Sequence, residues 1–349
     1  MRIEAIRQRL RAQGALAGHE HRVLRHWAMA LPHESGRRKP ADFLPKRVRA
    51  ALPALADELA ALAQLRAEHA SPDGSVKLLV ALNDGQMVES VLLPGGGLCV
   101  STQVGCAVGC VFCMTGRGGL ARQLGSAEIV AQVALARTLR PVRKVVFMGM
   151  GEPAHNLDNV IEAIELLGSA GGIGHKQLVF SSVGDRRVFE ALPRASVRPA
   201  LALSLHSTDA ARRAALLPNA PRLAPDELVE LGEGYARATR HPIQYQWTLL
   251  DGINDGADEI DGLVALLHGK LAMLNLIPYN RVDGLPFARP SAERAEAMAL
   301  ALRRRGVRTT LRQSAGQDVD AGCGQLRART APLEQPITMA RRQQPELQQ

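Results

Sequence analysis

The chain has 349 residues, 46% of them hydrophobic, and 43 Lys and Arg stand against 34 Asp and Glu for a net charge of +9. Five cysteines, four of them between Cys99 and Cys113, exclude a secreted disulfide framework and fit a reducing, cytoplasmic setting. No apolar run nears the roughly 18 residues of a membrane span, the opening MRIEAIRQRLRAQG lacks the apolar core of a signal peptide, and the positive surplus points to a polyanionic partner such as RNA.

Residues 1–70 are expected to form a helical accessory domain. Ile3, Ile6 and Leu10 recur at helical spacing, as do Val23, Leu24 and Trp27, and a further stripe runs through Leu52, Leu55, Leu59, Leu62 and Leu65. Between them lie Arg37-Arg38-Lys39-Pro40 and Lys46-Arg47-Val48-Arg49, either a solvated linker or a patch that contacts phosphates. Residues 71–97 read as a small β extension, with strands at 76–82 and 88–93 around Asn83-Asp84-Gly85. Glu89 sits among apolar residues of the second strand, and strand alternation alone has it facing water.

From 98 to 326 the periods alternate. Helices are expected at 126–139, 157–167, 186–192, 225–238, 259–267 and 292–305. Strands are expected at 144–148, 177–181, 199–204, 243–249, 273–277 and 307–311. That order implies parallel β/α units, and their number suits an α/β fold built as an open, partial (β/α)6 barrel. In barrels the chemistry sits at the C-terminal strand ends. Polar sets fall there: Gly151-Glu152 after one strand, Ser181-Ser182, Ser204-Leu205-His206, and Asn280 after others. Glu152 offers a carboxylate for an amino-acid ammonium.

Cys106, Cys110 and Cys113 are spaced C-x3-C-x2-C after the first barrel strand. Structural zinc wants four ligands, usually from two paired groups, and a second pair is missing. Three thiolates can instead hold three irons of a [4Fe–4S] cluster and leave the fourth open. Cys323 stands alone in the glycine-rich stretch 313–326, where a thiol at the barrel mouth is a candidate nucleophile. The tail, 327–349, is polar and proline-containing and is expected to be disordered.

Along the chain stand, in order, Ser71-Pro72-Asp73-Gly74-Ser75, VESVLLP, CVSTQVGCAVGCVFCMTG, VVFMGMGEP, LALSLH, LLDGIND, NLIPYN and DVDAGCGQL. The ordered set resembles the RlmN/Cfr family of radical S-adenosylmethionine (SAM) RNA methyltransferases, over about residues 20–327. The resemblance implies a radical SAM barrel, one SAM-chelated [4Fe–4S] cluster on Cys106, Cys110 and Cys113, and methylation of an adenine ring carbon, C2 or C8, in ribosomal or transfer RNA. That carbon is electrophilic and cannot attack the methyl group of SAM directly. By resemblance Cys323 carries the methyl group as S-methylcysteine, Cys99 releases the product through a transient disulfide with Cys323, and Glu89 accepts the proton. SAM is assigned to Gly151, Glu152, Ser181, Ser204, Leu205, His206 and Asn280, and Phe112 matches the aromatic residue placed near the adenine. A flavodoxin or ferredoxin as electron donor, a monomeric state and a cytoplasmic location complete the expectation. The segments MTGRGGLARQL, LLPNAPRL and QSAGQD depart from the family pattern and leave the target nucleotide open. Two alternatives stand beside this reading: a radical SAM enzyme acting on a peptide or small molecule, and a non-enzymatic iron–sulfur or zinc protein that binds RNA.

Overall fold

The structure, a computed structural model, describes residues 1–36 and 39–328. Arg37 and Arg38 of the basic stretch, and all but the first two residues of the expected disordered tail, lie outside the described residues. The N-terminal part forms α1 (Ile3–Ala12), α2 (Ala17–Ala28), α3 (Pro40–Phe43) and α4 (Lys46–Ala61). Six strands follow: β1 (Gln64–Ala70), β2 (Val76–Ala81), β3 (Met87–Leu93), β4 (Gly97–Cys99), β5 (Gln103–Gly105) and β6 (Leu120–Gln123). Then come α5 (Ser126–Leu139), β7 (Lys144–Phe147), α6 (Leu157–Ser169), β8 (Leu178–Ser182), α7 (Arg186–Ala191) and β9 (Ala200–Ser204). The rest is α8 (Ala210–Leu216), α9 (Pro225–Thr239), β10 (Ile243–Leu249), α10 (Ala257–Leu267), β11 (Ala272–Pro278), α11 (Ala292–Arg304) and β12 (Thr309–Leu311).

Among the described residues ten strands make one open sheet in the order β1-β2-β3-β4-β7-β8-β9-β10-β11-β12, and β5 pairs with β6 in a second. From β4 to β12 all neighbours are parallel, whereas β1 to β4 pair antiparallel. The expected partial barrel is therefore present, with β4, β7, β8, β9, β10, β11 and β12 as its parallel strands, one more than six.

Register decides which side chains line its inner face. Tyr245 donates its hydroxyl to Val229 O of α9 at 3.3 Å. A Cβ on Gly232 of that helix would lie 2.7 Å from the same hydroxyl and 3.1 Å from Leu203, so only glycine lets the helix settle this close. Leu203 and Tyr245 thus point at the helices. Side chains alternate along a strand and cross-strand partners share a face. The pairs Cys99↔Val146, Val146↔Val179, Ser181↔Ala202, Ser204↔Gln246 and Gln246↔Asn275 accordingly occupy the opposite, inner face. Val91 pairs with Cys99, so Glu89, two residues before it, joins that face too.

The N-terminal helices pack outside α5 and α6. Arg137 Nη1 donates to Ala28 O at 2.6 Å, Ile3 N to Ser126 Oγ at 2.8 Å, and Ile3, Ile6, Leu24 and Val48 belong to the same buried core as the barrel. Among the described residues no helix is long and apolar enough to cross a membrane.

Two expectations need correction. Residues 64–70 are a strand rather than the end of the helical region, because the edge of β2 offers unpaired backbone groups and β1 takes them antiparallel. With it, the β extension adds β1–β3 to the edge of the barrel sheet. Glu89 is 5% exposed instead of facing water, because β3 is covered on both faces. The hairpin β5–β6 and the seven-residue α8 were too short to announce themselves as periodic patterns.

Candidate active site

The three spaced cysteines lie on the loop between β5 and β6. Cys106 N donates to Gly119 O at 2.9 Å and Cys113 N to Cys110 O at 3.0 Å, while Val111 N reaches Leu216 O of α8 at 3.1 Å. Burial pushes the Cys106 thiol up to about 12, pushes Cys110 well above the usual thiol range, and raises Cys113. The Cys113 and Cys106 thiols, close by, push Cys110 further. Among the described residues no group of three or more His, Cys, Asp or Glu could hold a metal ion. That finding bears on zinc, whose four ligands crowd one point. A cluster of four irons gives each thiolate its own metal and sets them farther apart.

Arg213 of α8 adds the charge such a cluster calls for. It is 4% exposed, donates to Val183 O and to Ser204 O (3.1 Å), leaves Nε unmatched, and has no carboxylate partner among the described residues. A buried cation without a counter-ion is costly. Burial lowers the Arg213 pKa to about 10 and the Cys110 thiol is near enough to offset part of that, so an anionic thiolate cluster would supply the missing charge.

The expected SAM residues converge around the same loop. Gly151 has φ of +104°, and a Cβ there would come 2.6 Å from the Gln103 side chain, whose Oε1 accepts from Glu152 N at 2.6 Å. Only glycine fits this close approach. Glu152 accepts from Ala154 N and Val183 N, both at 3.1 Å, and the Cys106 and Cys110 thiols feel its charge. Ser181 and Ser204 are half-buried on the inner face, whereas Ser182 lies on the opposite face by register, takes Gly184 N at 3.0 Å and hydrogen-bonds the Glu152 carboxyl. Leu205 is fully buried, and its N donates to Gln246 O at 3.0 Å. His206 adopts φ of +60°, a strained value for a non-glycine residue. Its Nδ1 accepts from Thr248 N at 2.9 Å, which puts the ring proton on Nε2, and burial lowers its pKa to about 3, so it is a neutral donor. Phe112 meets it edge-on, centroids 5.0 Å apart. Asn280 donates to Ser314 Oγ (2.8 Å) and Cys323 O (3.0 Å) and keeps Oδ1 buried and unmatched.

Burial raises the Glu152 carboxyl from 4.5 to about 7. A carboxyl with a raised folded pKa contributes stability below its unfolded value and loses it as pH rises through the folded one. The gap between wild type and Glu152→Gln in urea unfolding is therefore expected to narrow or reverse by about 3 kcal/mol between pH 5 and 8. A gap constant over that range would contradict the burial argument.

The fifth cysteine comes to the same place. Cys323 is exposed, yet it is near enough to push up both Cys99, which burial already lifts to about 12, and Cys113. Its loop is tied to the cluster loop by Met114 N to Gly324 O (2.8 Å) and Thr115 Oγ1 to Leu326 O (2.6 Å). Asp73 pins the other end by accepting from Gly316 N at 2.8 Å, and Ser71 donates to Asp318. The Ser71–Ser75 motif thus anchors the cysteine loop, a role the sequence did not reveal. Glu89 Oε2 accepts from Arg327 N at 2.8 Å, and Oε1 lies 3.6 Å from Lys77 Nζ. All five thiols are free.

The residues present fit the expected groups: soft sulfur donors on one loop, a buried uncompensated guanidinium near them, a close glycine turn and an unmatched Asn280 carbonyl. Comparison with known proteins agrees. The model of the radical SAM superfamily matches residues 100–264. A protein of Methylibium petroleiphilum named "Probable RNA methyltransferase" is 71% identical over 94% of this chain and 93% of its own. One of Leptothrix cholodnii bearing the same name is 70% identical over 94% and 95%. The crystal structure of a radical SAM methyltransferase from Sphaerobacter thermophilus superposes with a TM-score of 0.82 at 34% identity, over 94% of this chain and 98% of that one. A likeness that runs the length of both partners, in sequence and in fold, leaves one assignment: this chain belongs to the radical SAM superfamily and, within it, to a family of methyltransferase enzymes.

Proposed function

We propose that the enzyme methylates an adenine ring carbon, C2 or C8, of ribosomal or transfer RNA, with Cys323 as the methyl carrier. The observation that carries the reading is that the Cys323 loop, far along the chain, is tied to the cluster loop by Met114 N to Gly324 O at 2.8 Å and Thr115 Oγ1 to Leu326 O at 2.6 Å, with Cys323 near enough to raise Cys99 and Cys113. RNA as substrate is supported by the names of the relatives and by the net charge of +9. Cys106, Cys110 and Cys113 would hold the [4Fe–4S] cluster, and Gly151, Glu152, Ser181, Ser204, Leu205, His206 and Asn280 would hold SAM. Bound together, cluster and SAM supply one-electron cleavage and hydrogen-atom abstraction, the chemistry an unreactive aromatic carbon needs.

The protein's own groups do the rest. Cys323, exposed on a pinned loop, takes the methyl group on sulfur and presents it to the base. Glu89, on the inner face with Cys99, accepts the proton lost from the ring. The Cys99 sulfur then attacks the Cys323 sulfur, and the S–C bond to the carbon now on the base breaks. That carbon keeps the electron pair and takes a proton to become the methyl group, and the disulfide left behind is reopened by thiols of a reducing, cytoplasmic environment. Base access favours an unpaired nucleotide. A flavodoxin or ferredoxin is the electron donor in this reading, and the enzyme works as a monomer. The test is mass spectrometry of RNA nucleosides from a deletion strain. A methyladenosine present in the parent and missing from the mutant is expected; identical nucleoside profiles would sink the proposal.

A further inference from the structure

The inner face of the barrel holds two polar side chains to which the proposed reading gives no role. Gln246 on β10 and Asn275 on β11 are register partners and are 5% and 2% exposed. Each has one end of its carboxamide occupied: Gln246 Nε2 donates to Gln244 O at 3.2 Å, and Asn275 Oδ1 accepts from the Thr310 hydroxyl at 2.6 Å. The other ends, Gln246 Oε1 and Asn275 Nδ2, are buried without a partner. An unmatched buried polar atom is destabilising, on the order of 1–3 kcal/mol, and barrel interiors are ordinarily filled by branched apolar side chains. Two such atoms in adjacent strands, one acceptor and one donor, are a liability that a bound molecule would remove.

Their position narrows the molecule. Gln246 also pairs with Ser204 on its other side, so the three residues stand in one row across β9, β10 and β11. The unmatched Oδ1 of Asn280 lies just beyond the end of β11. Ser204 and Asn280 are two of the residues that the proposed reading gives to SAM. A neutral acceptor beside a neutral donor suits a ligand with the same pattern reversed, and adenosine offers it twice, on the adenine edge and on the ribose diol. Paired acceptor and donor atoms of carboxamides grip adenine in this way elsewhere.

We propose that Gln246 and Asn275 form a nucleoside subsite that binds the adenosyl part of SAM through Gln246 Oε1 and Asn275 Nδ2. The inference rests on SAM being bound at this face; it does not rest on Cys323 as methyl carrier.

The test uses the holoenzyme, reconstituted anaerobically with its cluster, in the parent and in a Cys323→Ala background, so the result stands whatever becomes of the carrier. Gln246→Met and Asn275→Leu keep the volume and remove the hydrogen-bonding ends, and the Thr310 hydroxyl keeps Leu274 O as acceptor at 3.3 Å. Equilibrium dialysis with SAM is expected to give a Kd raised about 10- to 100-fold in each variant. 5′-Deoxyadenosine, which lacks the methionine part, is expected to lose affinity by a similar factor. Thermal unfolding without SAM is expected to stay level or move up, because the unmatched atoms are gone. Unchanged SAM affinity in both variants overturns the proposal, and so does a lower unfolding midpoint with unchanged affinity, the mark of a purely structural pair. SAM affinity intact while an adenosine-containing oligonucleotide binds more weakly would give the pair to the substrate and overturn it as well. If Asn275→Leu does not fold, Gln246→Met decides alone.

Discussion

Cys323→Ala is expected to abolish RNA methylation, by at least about 10⁴-fold as for other lost nucleophiles, while leaving reductive cleavage of SAM intact. The structure separates Cys323 from the other four thiols. It alone is exposed, whereas Cys99, Cys106, Cys110 and Cys113 are held in surroundings that keep the thiol protonated. Exposure lets a base reach its sulfur, and the tethers from Asp73, Met114, Thr115 and Asn280 hold it at the barrel mouth. Because the side chain buries little, the change in unfolding free energy should stay within about 0.5 kcal/mol. Cys99→Ala makes the complementary case. Its Cys323 is expected to retain a methyl adduct after incubation with SAM, seen as one added methyl group on the Cys323 peptide. Methylation of RNA by Cys323→Ala at the parental rate would remove Cys323 from the reaction as its methyl carrier.

The barrel was legible because its strands are short apolar runs between helical periods. The strand at 243–249 is read from the sequence to the residue, as is the helix at 126–139. A strand covered on both faces needs no alternation, and that is also why Glu89 misled: a lone carboxylate in such a strand is buried once Lys77 and the backbone of Arg327, 238 residues away, receive it. The strand β1 was hidden because Leu65 continues the helical stripe, and nothing local shows that β2 leaves an open edge. The cysteine loop and the strand-end residues carry motifs. Arg213 and Gln246 carry none, and Asn275 heads NLIPYN with nothing local to mark it, since their meaning comes from pairing register and from atoms left without partners. Register likewise puts Ser181 and Ser182, neighbours that no motif distinguishes, on opposite faces.

Cys110→Ala is expected to empty the metal site. Anaerobic reconstitution of the parent should load about four irons per chain, and the variant close to none, with the cluster's visible absorbance and the electron paramagnetic resonance of its reduced form lost together. The Cys110 thiol is held well above the usual thiol range. Burial comes first among the causes, followed by Cys113, Cys106 and Glu152, all of which would be negative neighbours. Iron uptake must therefore release a proton from each ligand, and loading should weaken steeply as pH falls. Arg213 opposes this cost, because its charge has no other partner among the described residues and lies near Cys110. Deleting the sulfur leaves two protein ligands and an uncompensated guanidinium. The fold itself should barely notice, since a buried thiol packs as a small apolar side chain, and unfolding of the metal-free variant should match the parent within about 1 kcal/mol. Full iron content in Cys110→Ala would mean that the cluster sits on other ligands, and the assignment of Cys106, Cys110 and Cys113 as a set would fall with it.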